Sequence, residues 1–279
     1  MGKIIWISSY PKSGNTWVRY LLANYFYNPS RIKNANIIDN IKKFNINDKF
    51  KKISNLENIK KNPFHISKYW IPSQENLIKN NKSNFFLKNH NSLIRIEENN
   101  FTKKEFCLAT IYIVRDPRDV AVSFAHFSNL NYDKTIDKLL SEELFASVDR
   151  DNPWNIEIIG SYKFHYNSWK NGILKVPSII IKYEDLINDT YGQLLRIISF
   201  LCKILNFNIN HEQLIFSVYN SSFETLKKFE KENKFKEKGK SNRFFRKGKY
   251  NDWVYELNQS QISRIERTLS KEMDILSYN

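Results

Sequence analysis

Cysteine is nearly absent: Cys107 and Cys202 are the only two in 279 residues. They lie far apart in apolar surroundings, with no CxxC or Cys/His spacing, which excludes a disulfide framework and a sulfur-held metal site. Both read as buried thiols of a reducing compartment. Long apolar runs are missing as well. The first, Ile4-Ile5-Trp6-Ile7, is too short for the apolar region of a signal peptide, and no stretch approaches the length of a membrane span. These absences predict a cytoplasmic address and no membrane span. No internal repeat is present, and no cluster of acidic residues suggests a metal site. Acidic residues are in deficit, 29 against 44 lysines and arginines, for a formal charge of +15. A positive balance of that size favours an anionic partner, whether nucleotide, nucleic acid or acidic membrane. Most of the excess is lysine scattered among Asn, Ile, Phe and Tyr, a pattern that coding bias alone also produces.

What is present suffices for one sizeable core: 41% of residues are hydrophobic and 15% aromatic. Ile4 to Ile7 reads as a buried strand, Ser8 to Asn15 as a loop, and Trp17, Leu21, Leu22 and Tyr25 as one face of a helix. The unit recurs. Leu108 to Val114 is a second strand, broken at Arg115-Asp116-Pro117, and Pro117 suits the first turn of the helix that follows. Ser178 to Ile181 is a third, followed by Tyr183-Glu184-Asp185-Leu186 and a helix over about 189–205. Strands alternating with helices predict an α/β protein, a single domain over 1–279 with a central parallel sheet flanked by helices. Two weakly patterned stretches, near 29–84 and 227–245, read as substrate-covering segments. The Lys/Glu run inside the second is equally what a solvated face looks like.

Three places carry chemistry. In Pro11-Lys12-Ser13-Gly14-Asn15-Thr16-Trp17 a strand ends in a glycine-containing loop that opens a helix, so backbone N–H groups and the positive helix end converge as in a phosphate site. The lysine precedes a single glycine, so this is not the triphosphatase pattern GxxxxGK followed by Ser or Thr. A turn with an incidental lysine is the plain alternative. In Arg115-Asp116-Pro117-Arg118-Asp119-Val120-Ala121-Val122-Ser123, an arginine at a strand's carboxyl end and a hydroxyl two helical turns on can both face the crevice where open α/β sheets bind ligands. A guanidinium fork and a hydroxyl suit a terminal phosphate; an ordinary ion pair of Arg115 with Asp116 is the alternative. The third place is Arg246-Lys247-Gly248, followed by Asn251-Asp252-Trp253, where two cations beside a glycine can approach phosphate oxygens. Alone it could be a basic turn, but three anion sites in one chain reinforce one another.

These motifs resemble the cytosolic-type sulfotransferases that use 3′-phosphoadenosine 5′-phosphosulfate (PAPS). That family reads P-K-S-G-T-T-W near its start, then R-D/N-x-x-D-V-x-V-S, then R-K-G-x-x-G-D-W near its end, and order and spacing match across nearly the whole chain. The resemblance implies a topology like that of P-loop nucleotide kinases, with PAPS as donor, its desulfated form PAP as product, and no metal. It implies that Lys12, Ser13, Gly14, Asn15, Thr16 and Trp17 hold the 5′-phosphosulfate end. Arg115, Ser123, Arg246, Lys247 and Gly248 would hold the 3′-phosphate. Tyr183, with Ser222 and Phe223 of Ser221-Ser222-Phe223, would lie on the adenine side, where Trp17 could stack unless it is a core residue. The family's K-T/S-H is matched by Lys88-Asn89-His90, making His90 the candidate base; the other histidines, His65, His126, His165 and His211, read as packing or surface residues. The sequence departs from the pattern at Asn15, in place of threonine, and at Asn251, in place of glycine. The animal enzymes' dimer segment after Asp-Trp is not matched by Val254 to Gln259, which leaves the oligomeric state open.

Sulfuryl transfer, like phosphoryl transfer, needs in-line positioning and charge stabilisation. His90 would take the acceptor's proton, Lys12 would stabilise charge on the leaving phosphate oxygen, and Lys88 would neutralise the sulfuryl oxygens. Aromatics near Phe64, Tyr69, Trp70, Phe85 and Phe86 suggest an apolar or ring-containing small-molecule acceptor; a basic rim would equally suit a glycan. A P-loop kinase would share the strand-loop-helix but needs a metal-holding Asp, for which Asp116 is the one loose fit. A nucleic-acid-binding protein would account for the charge yet leave the Lys12 loop unexplained.

Overall fold

The computed structural model describes residues 1–53, 55–148, 152–170, 174–232, 235 and 244–279. Most of the Lys/Glu-rich stretch, 233–234 and 236–243, therefore lies outside the described residues. The first half of the chain runs β1 (Ile4–Ser9), α1 (Asn15–Tyr27), β2 (Lys42–Lys43), α2 (Asp48–Ile53), α3 (Leu56–Lys61), α4 (Trp70–Asn80), β3 (Phe85–Asn89), β4 (Arg95–Ile96), β5 (Asn99–Asn100) and β6 (Cys107–Val114). After it come α5 (Pro117–Ser128), α6 (Tyr132–Leu140), β7 (Ala146–Val148), β8 (Ile156–Ile158), α7 (Tyr162–Lys170), β9 (Ser178–Lys182), α8 (Tyr183–Asn188) and α9 (Thr190–Leu205). The chain closes with α10 (His211–Asn220), α11 (Phe223–Lys231), α12 (Trp253–Glu256) and α13 (Gln259–Leu276).

The central sheet has five strands in the order β2-β3-β1-β6-β9, the expected parallel arrangement flanked by helices. Every residue of β1 is buried, and β6 is buried but for Leu108, as strands covered on both faces must be. The two minor ribbons pair β4 with β5 and β7 with β8. The stretch 29–84, unpatterned in sequence, folds into short helices capped by asparagine: the side chains of Asn34, Asn55 and Asn62 each accept a backbone N–H of the turn they precede. Asparagine suits this because its short side chain mimics a backbone acceptor.

By internal packing the chain forms two compact units, each assembled from three separate stretches. The first comprises Met1–Tyr10, Lys43–Tyr112 and Asp137–Ser178. Its core centres on Trp6, whose ring meets Phe44 and Phe101, with Trp70 edge-on to Phe101 at 5.4 Å. Trp70 is fully buried and Phe86 nearly so, so these two expected acceptor-lining aromatics are packing residues; Phe64, Tyr69 and Phe85 are half-buried. Cys107 is buried and accepts the indole N–H of Trp6, whereas Cys202, in the other unit, is only half-buried. The second unit comprises Pro11–Lys42, Ile113–Ile136 and Ile179–Asn279. In it α1 packs against α10, and Leu194, Ile197, Ile198 and Leu201 form the buried stripe of α9. Among the described residues no helix is long and apolar enough to cross a membrane.

Candidate functional site: a nucleotide-type loop and a histidine turn

The loop of the second unit is held in a conformation few residues adopt. Lys12 and Gly14 both have positive φ, 72° and 102°, and Gly14 caps α1 with no side-chain acceptor. A Cβ at Gly14 would stand 2.6 Å from Cδ2 of Tyr183, so both conformation and proximity demand glycine. Ser13, fully buried, has a hydroxyl without a partner among the described residues; Asn15 and Thr16 are buried beside it. The Lys12 ammonium lies 4.0 Å from the ring centre of Phe127 and 4.2 Å from that of Phe244. Trp17 is half-buried rather than a core residue: its indole N–H donates to the Ser221 carbonyl at 2.8 Å, and its ring meets Tyr183 edge-on.

Arg115 ties the motifs together. Its guanidinium donates to the carbonyls of Lys12 (3.4 Å) and Lys249 (3.1 Å) and lies 4.4 Å from the centre of the Tyr183 ring. The ion pair that Arg115 makes is with Asp119, at 3.6 Å. Asp116 caps α5 through the Arg118 N–H and binds the Arg118 side chain at 2.7 Å. Asp119, one turn into α5, accepts the backbone N–H groups of Asn251 (2.8 Å) and Trp253 (3.2 Å), joining the second motif to the third. Burial pushes its carboxyl up, against the pull of Arg115. Ser123 is half-buried, one turn beyond Asp119. Asn251, where the family pattern has glycine, has φ 64°, a left-handed conformation that asparagine tolerates better than other non-glycine residues.

Arg246 and Lys247 do not stand open. Arg246 meets Asp252 at 2.6 Å and Glu256 at 3.3 Å; Lys247 meets the same two carboxylates at 3.0 and 3.3 Å. Gly248, φ 63°, is pressed against the Phe223 ring, with no room for a Cβ. Ser222 caps α11, accepting from the Thr225 N–H. The roles of Phe127, Asp119 and Glu256 were not legible in the sequence, because each acts on a residue more than a hundred positions away or on a loop whose path the sequence does not specify.

In the first unit, β1 and β3 run parallel with Ser8 opposite Asn89, which brings His90 beside Ser9. His90 Nδ1 lies 2.7 Å from the Ser9 carbonyl oxygen. A carbonyl can only accept, so Nδ1 carries the proton and Nε2 of the neutral ring keeps its lone pair. Burial, then the charge of Lys88, pulls the imidazole down to about 3, opposed by Glu157. The turn is clasped by amides: Asn89 Oδ1 accepts from the N–H and side chain of Asn91, and Asn91 Oδ1 accepts the Ile158 N–H at 2.7 Å. His165, a packing residue as expected, is also part of this cluster: it is fully buried, donates from Nε2 to the His90 carbonyl (3.1 Å) and accepts from the Tyr112 hydroxyl at Nδ1 (2.7 Å). Lys88 is buried on β3, and Glu157 binds Lys43 at 2.8 Å.

Comparison with known proteins identifies the fold and the family. The family model for the sulfotransferase domain matches residues 3–277, so it spans both units. An amine sulfotransferase of Oryctolagus cuniculus is 23% identical over 96% of this chain and 80% of its own length. A 3-beta-hydroxysteroid sulfotransferase of Cavia porcellus is 27% identical over 59% of this chain and 54% of its own. Among solved structures, a mouse sulfotransferase complexed with PAP superposes with a TM-score of 0.61 at 22% identity, covering 97% of this chain and 84% of that one. Retinol dehydratase in a complex with retinol and PAP also gives 0.61, at 18% identity, covering 97% and 81%. The motif order, the fold and a family match over almost every residue lead to one conclusion: this chain belongs to the sulfotransferase domain family.

Proposed function

We propose that this chain transfers a sulfuryl group from PAPS to a hydroxyl or amine acceptor by in-line displacement. The observation that carries the reading is the convergence on Arg115: it joins the Lys12 loop to the Lys249 turn and is backed by Tyr183, so three motifs distant in sequence meet at one cation. On this reading Lys12, Ser13, Gly14, Asn15, Thr16 and Trp17 receive the 5′-phosphosulfate, at the N-terminus of α1 beside the buried hydroxyl of Ser13. Arg115, Ser123, Arg246, Lys247 and Gly248 receive the 3′-phosphate, and Tyr183, Ser222 and Phe223 the adenine side. The acceptor's oxygen or nitrogen attacks sulfur, the bond from sulfur to the 5′-phosphate oxygen breaks, and its electron pair leaves with PAP. The acceptor's proton goes to Nε2 of His90. Lys12 offsets the charge growing on the leaving oxygen and Lys88 that on the sulfuryl oxygens. Those charges make a metal unnecessary to the mechanism. The relatives' names, one for amines and one for hydroxysteroids, support a small-molecule acceptor; glycans belong in the same screen.

The test is transfer of label from PAPS to pooled alcohols, phenols, amines and glycans in the presence of a chelator, with PAP binding followed by thermal shift. A labelled product and a PAP-induced rise in Tm, as mass action requires of a ligand that binds only the folded state, are the expected results. A shift with ATP and magnesium but none with PAP would establish the kinase instead. Salt-sensitive DNA or RNA binding without nucleotide binding would establish the third reading.

A further inference from the structure

Among the described residues, the charges that act on His90 come from Lys88 of β3, two positions before it, Lys43 of β2 and Glu157 of β8. Ser9 meets Nδ1 of the ring, and His165 and Tyr112 form a chain of hydrogen bonds ending on the His90 carbonyl. Glu157 is 5% exposed, and a carboxylate so deeply buried is retained only if its lone pairs are satisfied. They are: Oε1 accepts the backbone N–H of His90 at 3.0 Å and Oε2 holds the Lys43 ammonium at 2.8 Å. The position is fixed from both sides, because Ile158 donates its N–H to Asn91 and accepts that of Ser92 at 2.9 Å. Strand β8 is therefore stitched to the histidine turn one residue from Glu157.

We propose that Glu157 is a positioning residue for His90, anchoring its backbone N–H and supplying a negative charge that offsets the ammonium groups of Lys43 and Lys88. Without that charge, Lys43 and Lys88 would face the ring uncompensated, and both disfavour an imidazolium. The inference rests on His90 being the base. Catalysis by a base weakens as its basicity falls, and Glu157 holds the backbone N–H of His90.

The charges give the test a sign. Glu157→Gln keeps an acceptor for the His90 N–H but removes the charge; Lys43→Gln removes a cation and should act in the opposite direction. The first readout needs no acceptor: the rate of carbethoxylation of His90 by diethyl pyrocarbonate, followed by mass spectrometry of its peptide. Glu157→Gln should slow that rate and Lys43→Gln should quicken it. With 2-naphthol or, failing that, the best acceptor from the screen, Glu157→Gln should lower kcat about tenfold and leave the KM for PAPS near its original value. Glu157→Ala, which also loses the backbone contact, should fall further. A residue needed only for folding would move both Gln variants in one direction and the KM with them, and that outcome, or an unchanged carbethoxylation rate in both, overturns the proposal. His90→Ala separates the two levels: full turnover in that variant would dismiss His90 as base, whereas its inactivation together with indifference to Glu157→Gln would dismiss only Glu157.

Discussion

At the scale of single residues, function rests on conformations that most side chains resist. Gly14 combines φ of 102° with a Tyr183 ring that a Cβ would meet at 2.6 Å. Gly14→Ala should cost about 2 kcal/mol from backbone strain and ring displacement together, measured by urea unfolding. It should also reduce the PAP-induced rise in Tm, since moving Tyr183 disturbs the surface that backs Arg115. His90 and His165 show the same tension electrostatically. Burial holds both near 3 in the folded protein, against an ordinary value of about 6.5. The unfolded chain therefore binds more protons, so stability is full above the unfolded value and is lost as pH falls toward 3. Each histidine should contribute a slope of about 1.4 kcal/mol per pH unit in that window. Glu157, held well below the usual carboxylate range by Lys43 and Lys88 against the cost of burial, adds a loss of the same sign at lower pH. Urea titrations between pH 7 and 4.5 should show the decline, and His165→Gln should flatten it by about one proton's worth.

At the scale of elements, each motif is completed by another one. The helix α5 contributes Asp119 to the Asn251–Trp253 turn, and the strand end before it contributes Arg115 to the Lys12 loop. Arg115→Ala should weaken PAP binding by about 2 kcal/mol, the worth of a charge-assisted contact, and weaken AMP binding much less; equal losses by calorimetry would remove Arg115 from the 3′-phosphate site. The short helix α12 acts in the other direction. Its Glu256 pairs with both Arg246 and Lys247 and accepts the Tyr132 hydroxyl at 2.7 Å, so on the proposed reading a phosphate would compete with this carboxylate for the two cations. Glu256→Gln should therefore tighten PAP binding by up to about 1 kcal/mol, the range of a partly exposed ion pair. Weaker binding in that variant would mean that Glu256 orients the two cations rather than competing for them.

At the scale of the whole molecule, two compact units are interleaved along the chain, each from three stretches, while one family model spans residues 3–277. We propose that the chain is one domain, as the sequence predicts; tryptophan fluorescence and far-ultraviolet dichroism should then report a single coincident unfolding transition, and two resolved transitions would refute it. The sequence by itself determined the family and marked the residues proposed for the nucleotide. The Lys12 to Trp17 loop stood out because strand, glycine and helix start lie within a dozen residues, whereas Arg115 and Arg246 to Gly248 were marked by the order of motifs that resembles the sulfotransferases. The parallel sheet was legible, since buried strands and amphipathic helices each carry their own period. The short helical turns of 29–84 that follow Asn34, Asn55 and Asn62 were not, because they begin at asparagines that look like loop residues. Only the tertiary structure decided the surroundings of His90. Glu157 reaches it across 67 positions and His165 across 75, and Trp70 and Phe86, plausible in sequence as acceptor contacts, proved to be core. Local pattern specifies an element and its loop; which carboxylate faces which imidazole depends on how strands far apart in the chain are brought into register, and that is set by packing.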